Sequence, residues 1–349
     1  MQIGPYCLKN PVILAPMAGV ADAAFRKICL QCGAGMAVGE MVRSDFNLRG
    51  TVKSESRFRT DSSEPIPVVQ LVGADPASMA DAARYAVSCG AKIVDINFGC
   101  PARIVCGKAC GSALMADVEL AEQILQAVRD AVSVPVTVKM RLGWDQNHLT
   151  VFELAHAAQD IGFAAVTVHG RTREARFSGP VDYAAIGRLA GELSIPVIAN
   201  GDIDSPEKAL CVLRETGAAA VMIGRASLGA PWIFGQVAEA LSGRPVTPIS
   251  RAARRDIVLR HFDEHMRQAP VSRTKAVFSF RKHAVRYVLP LEQGQEKVRR
   301  ILRESDENVV RELLSEFLDD TPWRKRKKCR IFLSKTSWRV LSFRVWKTT

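Results

Sequence analysis

Eight short apolar runs alternate with stretches of helical periodicity in the first 240 residues, and this alternation constrains the fold more than any other feature. Runs rich in Val, Ile, Leu and Ala occupy residues 12–15, 36–39, 67–71, 93–97, 136–140, 165–169, 197–200 and 219–223. Such continuous runs are typical of parallel strands buried on both faces. Eight β/α repeats favour a TIM (β/α)8 barrel, whose usual size is about 250 residues. A doubly wound open sheet is the alternative.

The segments between these runs carry helix signals. Helices are predicted at residues 22–31, 76–88, 117–132, 151–161, 182–193, 206–215 and 231–241. In the clearest of them Asp117 is a predicted N-cap, and Val118, Ala121, Leu125 and Val128 recur at three- and four-residue spacing.

The chain changes character twice after the eighth repeat. Residues 242–250 form a Pro-rich linker, and residues 251–318 show helical periodicity with little strand signal. We therefore predict an α/β protein with a TIM-barrel domain over 1–241, a linker over 242–250 and a small all-helical domain over 251–320. A basic tail of uncertain structure follows over 321–349.

Positive charge is concentrated in the last third of the chain. Residues 1–250 hold 23 Lys/Arg and 24 Asp/Glu, whereas residues 251–349 hold 25 Lys/Arg and 12 Asp/Glu. A basic module joined to a neutral one indicates a polyanionic partner, most commonly a nucleic acid. The segment 323–349 has ten Lys/Arg and no Asp/Glu. It is either a nucleic-acid-binding tail or a segment not selected for folding, such as an altered reading frame.

The composition excludes several other classes of protein. With 48% hydrophobic and 24% charged residues, the chain is globular rather than disordered or collagen-like. No uncharged apolar run reaches the ~18 residues of a membrane span, and the N-terminus lacks a signal core. Nine cysteines, an odd number, indicate free thiols in a reducing compartment. We expect a cytoplasmic protein that does not enter a membrane.

Polar residues follow nearly every predicted strand, at the end of a TIM barrel where active sites lie. The strand ends carry Glu40, Gln70, Asn97 with Cys100, Lys139 with Arg141, His169 with Arg171, Asn200-Gly201-Asp202, and Gly224-Arg225. The last two ends predict a phosphate site, because backbone N–H groups beside glycine are accessible to an anion and Arg225 adds a charge. Two glycine turns and a surface arginine are the alternative.

Three of these residues suggest chemistry. Lys139, in a buried strand, needs an anionic or carbonyl partner, which is either the pyrimidine edge of a flavin or a neighbouring carboxylate. His169 binds a cofactor or substrate base, or is structural. Cys100, between Gly99 and Pro101, is a proton donor, a nucleophile or an inert turn residue.

Two other patterns resemble metal sites weakly. Cys29 and Cys32 form a CxxC, and Cys106 and Cys110 lie four apart, but we interpret both pairs as small buried residues. His261 and His265 are four apart on a helix without the glutamate that an HExxH site requires, and we predict that they lie on a solvated face. We expect no metal.

The ordered set of motifs over residues 1–318 resembles the tRNA-dihydrouridine synthase family, most closely its bacterial B-type members. The motifs are Leu14-Ala15-Pro16-Met17-Ala18-Gly19-Val20 with Asp22 and Phe25-Arg26; Gln70-Leu71 with Gly73 and Asp75-Pro76; Asp95-Ile96-Asn97-Phe98-Gly99-Cys100-Pro101; Gly111-Ser112-Ala113-Leu114-Met115; Val138-Lys139-Met140-Arg141; His169-Gly170-Arg171-Thr172-Arg173; Asn200-Gly201-Asp202-Ile203; Gly224-Arg225 with Pro231-Trp232-Ile233-Phe234; and Arg281-Lys282-His283.

The resemblance implies an FMN-containing barrel followed by a helical tRNA-binding domain. It implies FMN contacts by the backbone of Pro16, Met17 and Ala18, by the side chains of Gln70, Lys139 and His169, and, at the phosphate, by Asn200, Gly201, Asp202, Gly224 and Arg225. Cys100 matches the general acid of the family. The substrate contacts that we expect are Asn97, Arg141, Arg171, Arg281 and Lys282.

The resemblance also implies a reaction. NADPH, or NADH, reduces FMN; hydride then passes from flavin N5 to C6 of a flipped-out uracil, and Cys100 protonates C5. B-type members act on the D-loop uridine conventionally numbered 17. We expect a monomer. One alternative is an FMN barrel oxidoreductase acting on a small molecule, of the dihydroorotate or enoate reductase type, and another is an RNA-binding protein on an inactive barrel.

Overall fold

Nine parallel strands curl into a barrel in the computed structural model, which describes residues 1–48, 50–60, 64–107, 109–269 and 272–319. Eight of the strands are β1 (Val12–Leu14), β2 (Met36–Ala37), β3 (Val68–Val72), β4 (Ile93–Phe98), β5 (Val136–Arg141), β6 (Ala165–His169), β7 (Val197–Asn200) and β8 (Ala220–Ile223). The ninth is a two-residue strand, Val42–Arg43, which follows β2 in the chain and pairs with β3. Hydrogen-bonded neighbours follow the order β2-β1-β8-β7-β6-β5-β4-β3. A parallel bridge between Val38 and Val68 brings the β2 segment to β3. The predicted TIM barrel is confirmed.

A helix follows each strand and covers the outside of the barrel. The helices are α1 (Ala23–Gln31), α2 (Val52–Phe58), α3 (Pro76–Ser88), α4 (Val118–Ala131), α5 (Val151–Ile161), α6 (Tyr183–Glu192), α7 (Pro206–Thr216) and α8 (Ile233–Leu241). The Asp117 side chain accepts a hydrogen bond from the backbone N–H of Leu120, so the predicted N-cap is confirmed. Helix α2 was not predicted, because its seven residues show no apolar periodicity.

The two ends of the barrel differ in polarity. A two-stranded hairpin, Gln2–Ile3 with Tyr6–Cys7, precedes β1. Its Ile3 belongs to an apolar cluster with Ile13, Val68 and Ile93, from the first part of their strands. The N-terminal end of the barrel is therefore packed with apolar side chains. The predicted polar site residues of the barrel lie at the C-terminal ends of the strands.

Four helices with a core of their own follow the barrel. Helices α9 (Arg251–Gln268), α10 (Arg273–Val288), α11 (Gly294–Arg303) and α12 (Glu307–Asp319) pack around a cluster that includes Phe262, Phe280 and Leu314. Residues 242–250, between α8 and α9, form neither helix nor strand. Between 251 and 319 the chain has 15 Lys/Arg and 11 Asp/Glu, so most of the excess positive charge lies in 320–349, outside the described residues.

The face of α9 that carries His261 and His265 is buried, so the prediction of a solvated face is wrong. His261 is fully buried, and 8% of His265 is accessible to solvent. Helix α9 packs against α1, and the His261 ring lies 5.3 Å from that of Phe25 and 5.0 Å from that of Phe280, centroid to centroid. Neighbouring basic residues made this face look polar in the sequence.

Among the residues described, no helix is both long and apolar enough to cross a membrane. The eight cysteines in the same ranges form no disulfide with one another, and Cys29 is fully buried. The ninth cysteine, Cys329, and the whole basic tail lie outside the described residues.

A buried ion pair joins α1 to the segment before β3 and supports a stability prediction. Arg26 Nη2 lies 2.8 Å from Glu64 Oε1, and the two side chains are 6% and 2% exposed. Arg26→Met removes the guanidinium that pairs with the buried Glu64 carboxylate, and breaking a buried ion pair from one side typically costs about 3–5 kcal/mol. Urea unfolding is expected to show a loss of this size. Adding Glu64→Gln to Arg26→Met should recover much of it, and a single-variant loss below about 1 kcal/mol would contradict the prediction.

Candidate active site at the barrel rim

The register of the strands brings the predicted polar residues to one rim. Asn97 is the cross-strand partner of Lys139, and Arg141 is the partner of His169. His169 is in turn the partner of Asn200 on β7. Paired residues of neighbouring parallel strands point to the same face of the sheet. These side chains from β4 to β7 therefore share the C-terminal end of the barrel.

The electrostatics of His169 show that four cations surround its ring. Burial lowers the pKa of His169 well below its usual value, and the charges of Lys139, Arg141, Arg171 and Arg225 lower it further. The imidazole is therefore neutral at physiological pH. It can offer a hydrogen bond to a ligand without adding a fifth positive charge to the rim.

Lys139 forms no ion pair with any of the described residues. Burial and the charge of Arg141 lower the pKa of its ammonium to about 8, while Asp95 and Cys100 act in the opposite direction. Its Nζ forms no hydrogen bond or ion pair with any part of the chain that the structure describes. The Asp95 carboxylate is near enough to raise the pKa of Lys139, but the two form no salt bridge. The ammonium is available for an anionic or carbonyl ligand.

Cys100 lies on a turn held by Asn97. The Asn97 Oδ1 accepts hydrogen bonds from the backbone N–H of Gly99 (3.1 Å) and of Cys100 (2.9 Å). Burial raises the pKa of the half-buried thiol, and the charges of Arg141 and Lys139 only partly oppose this. The thiol stays protonated at neutral pH. A proton donor fits this state better than a nucleophile, which requires the thiolate.

The buried carboxyl group of Asp95 is linked to this turn through hydrogen bonds by way of Gln70 and Asn97. Asp95 accepts hydrogen bonds from Gln70 Nε2 (2.7 Å) and Thr137 Oγ1 (2.6 Å), and Asn97 Nδ2 donates to Gln70 Oε1 (2.8 Å). Burial raises the pKa of Asp95 to about 6. The network fixes Gln70 and leaves its amide one N–H for a ligand. Neither Asp95 nor Thr137 was predicted as a site residue. The signal available in the sequence was an aspartate inside an otherwise apolar strand.

The ends of β7 and β8 form the cationic corner of the rim. Asp202 accepts hydrogen bonds from Arg171 and Arg225. Burial alone would raise the pKa of Asp202, but the two arginines outweigh burial and lower it. Because this carboxylate repels phosphate, Asp202 can contribute a phosphate contact only through its backbone N–H. Asn200 Nδ2 donates to the carbonyl oxygen of Met222 (2.7 Å) and ties β7 to β8.

Gly201 cannot be replaced at this corner without strain. Its φ is +131°, in the region that favours glycine. A Cβ atom there would lie 2.9 Å from a Val181 methyl carbon and 3.1 Å from His169 Cδ2. Glycine therefore lets the backbone pass closely beside the His169 ring.

The two buried arginines of the rim, Arg141 and Arg171, donate hydrogen bonds to backbone carbonyl oxygens of the surrounding loops. Arg141 donates from Nε to the Gly99 carbonyl oxygen (2.8 Å) and from Nη1 to those of Thr172 (2.9 Å) and Arg176 (2.7 Å). Arg141 thus ties the Cys100 turn to the loop after β6. Arg171 donates from Nη2 to the Gly179 carbonyl oxygen (2.6 Å). Both remain predicted substrate contacts.

Phe177 belongs to the rim, although sequence analysis did not select it. It is 55% exposed, in the loop after β6. Its ring centroid lies 5.4 Å from Arg141 Cζ and 5.3 Å from Arg225 Cζ. An exposed aromatic ring beside two guanidinium groups offers a stacking surface to a planar ligand. A phenylalanine within the charged loop was the available signal.

The remaining predicted residues occupy two other places. Pro16, Met17 and Ala18 follow β1, and a Cβ added to Gly224 would lie 3.7 Å from Met17 Sδ, so this loop borders the cationic corner. Arg281 and Lys282 lie on α10, in the helices that follow the barrel. Arg281 Nη2 donates to the Glu304 carbonyl oxygen (2.7 Å), and Lys282 Nζ donates to Asp22 Oδ2 (3.1 Å). Their contacts with tRNA remain predictions.

The donor set fits an anionic planar cofactor such as FMN. His169 Nε2 and Arg171 Nη1 are buried, and within the described ranges neither has a hydrogen-bond partner. The ammonium of Lys139, which has no hydrogen bond to the described residues, completes a set of unused donors around one rim. Buried donors of this kind are costly unless a ligand satisfies them.

Comparison with known proteins identifies the family. A family model described as dihydrouridine synthase matches residues 13–321. The chain belongs to the dihydrouridine synthase family. This membership confirms the resemblance drawn from the motifs, and with it the expected class of enzyme, an oxidoreductase.

Individual relatives agree with this assignment. The chain is 54% identical over 265 residues to tRNA-dihydrouridine synthase B of Xanthomonas axonopodis pv. citri (strain 306), covering 75% of this chain and 80% of the relative. It is 50% identical over 262 residues to tRNA-dihydrouridine synthase B of Shewanella oneidensis (strain ATCC 700550 / JCM 31522 / CIP 106686 / LMG 19005 / NCIMB 14063 / MR-1), covering 75% and 81%. A solved structure of histamine dehydrogenase from Rhizobium sp. 4-9 matches with TM-score 0.54 and 14% identity, covering 76% of this chain and 50% of that one. At that identity the likeness shows the fold alone.

Proposed function

We propose that this protein reduces the C5–C6 double bond of a uridine in tRNA, giving 5,6-dihydrouridine, with FMN as cofactor and NADPH as electron donor. One observation carries the proposal. In a chain of the dihydrouridine synthase family, an unpaired ammonium (Lys139), a neutral imidazole (His169) and a protonated thiol (Cys100) meet at one barrel rim. The names and sequence identity of the relatives support tRNA as the substrate.

The residues that would hold FMN follow from the unused donors. FMN, when bound, supplies the hydride chemistry. Lys139 and His169 would hold its ring system, with Gln70 contributing its remaining amide N–H. Arg225 and the backbone beside Gly201 would hold the phosphate. The loop of Pro16, Met17 and Ala18 and the backbone of Asn200, Asp202 and Gly224 complete the proposed cofactor contacts.

The protein's own chemical step is a proton transfer. The Cys100 thiol holds a proton at neutral pH, and we assign it the delivery of that proton to C5 of the uracil. Asn97 fixes the backbone of Cys100, and Arg141 fixes the carbonyl of Gly99 beside it. A positioned general acid typically accelerates a reaction by about 10²–10⁴-fold.

The finer parts of the proposal concern the substrate and the domains. We propose the D-loop uridine at position 17 as the target, a catalytic domain over 1–241, a linker over 242–250 and a tRNA-binding helical domain over 251–320. Arg281 and Lys282 are its proposed RNA contacts, and Asn97, Arg141 and Arg171 those of the barrel. We further propose that the protein acts as a cytoplasmic monomer.

Affinity for tRNA should fall steeply with salt. If six to ten phosphate contacts form, raising salt from about 50 to 200 mM should weaken binding by about 10³–10⁵-fold, because the contacts release counterions. Fluorescence anisotropy of labelled tRNA at several salt concentrations measures the slope. An affinity that changes less than about twofold over this range would contradict binding through phosphates.

The direct test of the function is mapping of the product. The purified protein with FMN, NADPH and an unmodified tRNA transcript should add two hydrogens to a single D-loop uridine, detected by mass spectrometry of nuclease fragments. Omission of NADPH is the control. No dihydrouridine under any donor would overturn the proposed activity, and modification elsewhere in the tRNA would overturn position 17 alone.

A further inference from the structure

A buried cluster of three histidines and one aspartate joins the barrel to the helices that follow it. We call Asp22, His261, His265 and His283 the junction cluster. Asp22 caps the N-terminus of α1, where its side chain accepts a hydrogen bond from the backbone N–H of Phe25. His261 and His265 lie one turn apart on α9, and His283 lies on α10. None of these side chains belongs to the rim site.

Ligand atoms converge within this cluster without bonding to each other. One carboxylate oxygen of Asp22 and one ring nitrogen each of His261 and His283 lie within 4.8 Å of one another. His261 Nε2 and His283 Nε2 are buried, and neither has a hydrogen-bond partner in the described ranges. His283 Nε2 is 3.7 Å from Asp22 Oδ2, which exceeds hydrogen-bond distance. Two buried ring nitrogens are therefore left without a hydrogen bond in the described part of the chain, within 4.8 Å of the Asp22 carboxylate.

The protonation states suit coordination of a cation. Burial lowers the pKa of His261 well below its usual value and that of His283 to about 4, so both rings are neutral and keep a lone pair. Burial alone would raise the pKa of Asp22, but the charge of Lys282 and the neighbouring His265 and His283 together lower it, so the group is ionised. His261 Nδ1 shares a hydrogen bond of 2.9 Å with the Tyr287 hydroxyl. Metal-binding histidines are commonly oriented in this way through their second nitrogen.

We propose that the junction cluster binds one divalent transition metal of the zinc type, with Asp22, His261 and His283 as its protein ligands. Two imidazoles and one carboxylate suit zinc, whereas magnesium and calcium prefer oxygen ligands alone. His265 is the candidate for the fourth position, since its Nδ1 lies 3.6 Å from Asp22 Oδ2. Zinc bonds of about 2.0–2.2 Å draw the side chains together.

Lys282 competes with the metal for Asp22. Its Nζ lies 3.1 Å from Asp22 Oδ2, and its side chain is 33% exposed, so the ammonium can turn outwards to solvent. A cation beside the carboxylate weakens the binding of a second one. Removing it should therefore tighten the metal site. Without a metal, the same substitution only deprives a buried carboxylate of its positive partner.

The experiment is zinc binding by the full chain after treatment with a chelator. Dialysis against zinc followed by elemental analysis should give one zinc that His283→Gln and Asp22→Asn lose, with affinity at least about 100-fold weaker. Lys282→Met should bind zinc about tenfold more tightly than the wild type. Zinc should also raise the thermal unfolding temperature of the wild type and of Lys282→Met, because it binds the folded state.

His148→Gln is the matched control, because His148 pairs with Asp145 at an exposed site (2.8 Å). This variant should keep the full zinc content. Equal zinc content in the wild type and His283→Gln, or no zinc in either, would overturn the proposal. The histidines of the junction cluster would then be hydrogen-bonded through water instead. If His283→Gln does not fold, the sign of the Lys282→Met effect on zinc affinity decides.

Discussion

Cys100→Ala should lower the rate of dihydrouridine formation by about 10²–10⁴-fold while flavin content and tRNA affinity stay unchanged. The variant removes the only group that we assign to proton delivery, and it leaves the hydrogen bonds of the turn to Asn97 in place. Single-turnover reactions of the reduced protein with tRNA measure the rate. A wild-type rate in the variant would remove Cys100 from this role.

Cys106→Ala is the matched control for that experiment. Cys106 Sγ donates to the Cys100 carbonyl oxygen at 3.4 Å, so the control removes a neighbouring thiol of similar burial. Its turnover should stay within about threefold of the wild type, because a weak thiol hydrogen bond contributes little. Since the pKa of the Cys100 thiol is raised, the wild-type proton step should also stay constant through neutral pH and decline only in the alkaline range.

Lys139→Met should weaken FMN retention by about 10–100-fold, the value of a hydrogen bond to a charged group. Lys139 is the one rim cation that forms no hydrogen bond with the described residues, so its ammonium can bind the cofactor. Equilibrium dialysis or flavin fluorescence measures the affinity. Lys92→Met is the matched control. Lys92 lies just before β4, at the opposite end of the barrel, and its Nζ donates to the Pro65 carbonyl oxygen (2.9 Å).

The pH dependence of FMN binding provides a second check on Lys139. Burial lowers the pKa of this lysine to about 8, so its charge is present below that pH and disappears as the pH rises through it. The wild type should lose FMN affinity above about pH 8, with the onset moved upwards when the anionic cofactor is bound. Lys139→Met should show no such step. The assignment fails if both proteins have the same affinity and the same pH profile.

The barrel strands could be predicted because strands that are buried on both faces appear in the sequence as continuous apolar runs. Strands covered on both faces must be continuously apolar, and each of the eight predicted runs contains a strand of the barrel. Helix α2 and the short 3₁₀ turns, such as Phe46–Leu48 and Gly111–Ala116, carry no periodic signal. Their conformations depend on contacts with the rest of the fold, which the local sequence does not specify.

The rim site was predictable for a similar reason, whereas the polar networks were not. Strand ends of a barrel converge by topology, so Asn97, Lys139 and His169 could be grouped before any coordinates. The bonds of Asp95 to Gln70 and Thr137 depend on strand register, which individual runs do not reveal. The burial of His261 and His265 depends on how α9 packs on α1. That contact is between elements more than 200 residues apart in the chain.

Anaerobic mixing of the reduced protein with tRNA tests the central claim most directly, because it reads the flavin and its substrate together. The oxidised flavin absorbance should return on mixing wild-type protein with unmodified tRNA and not with free uridine, and it should return far more slowly in Lys139→Met loaded with FMN. A protein that binds no flavin, or whose flavin is reoxidised equally by tRNA and by free uridine, would contradict a rim site built for uridine in tRNA.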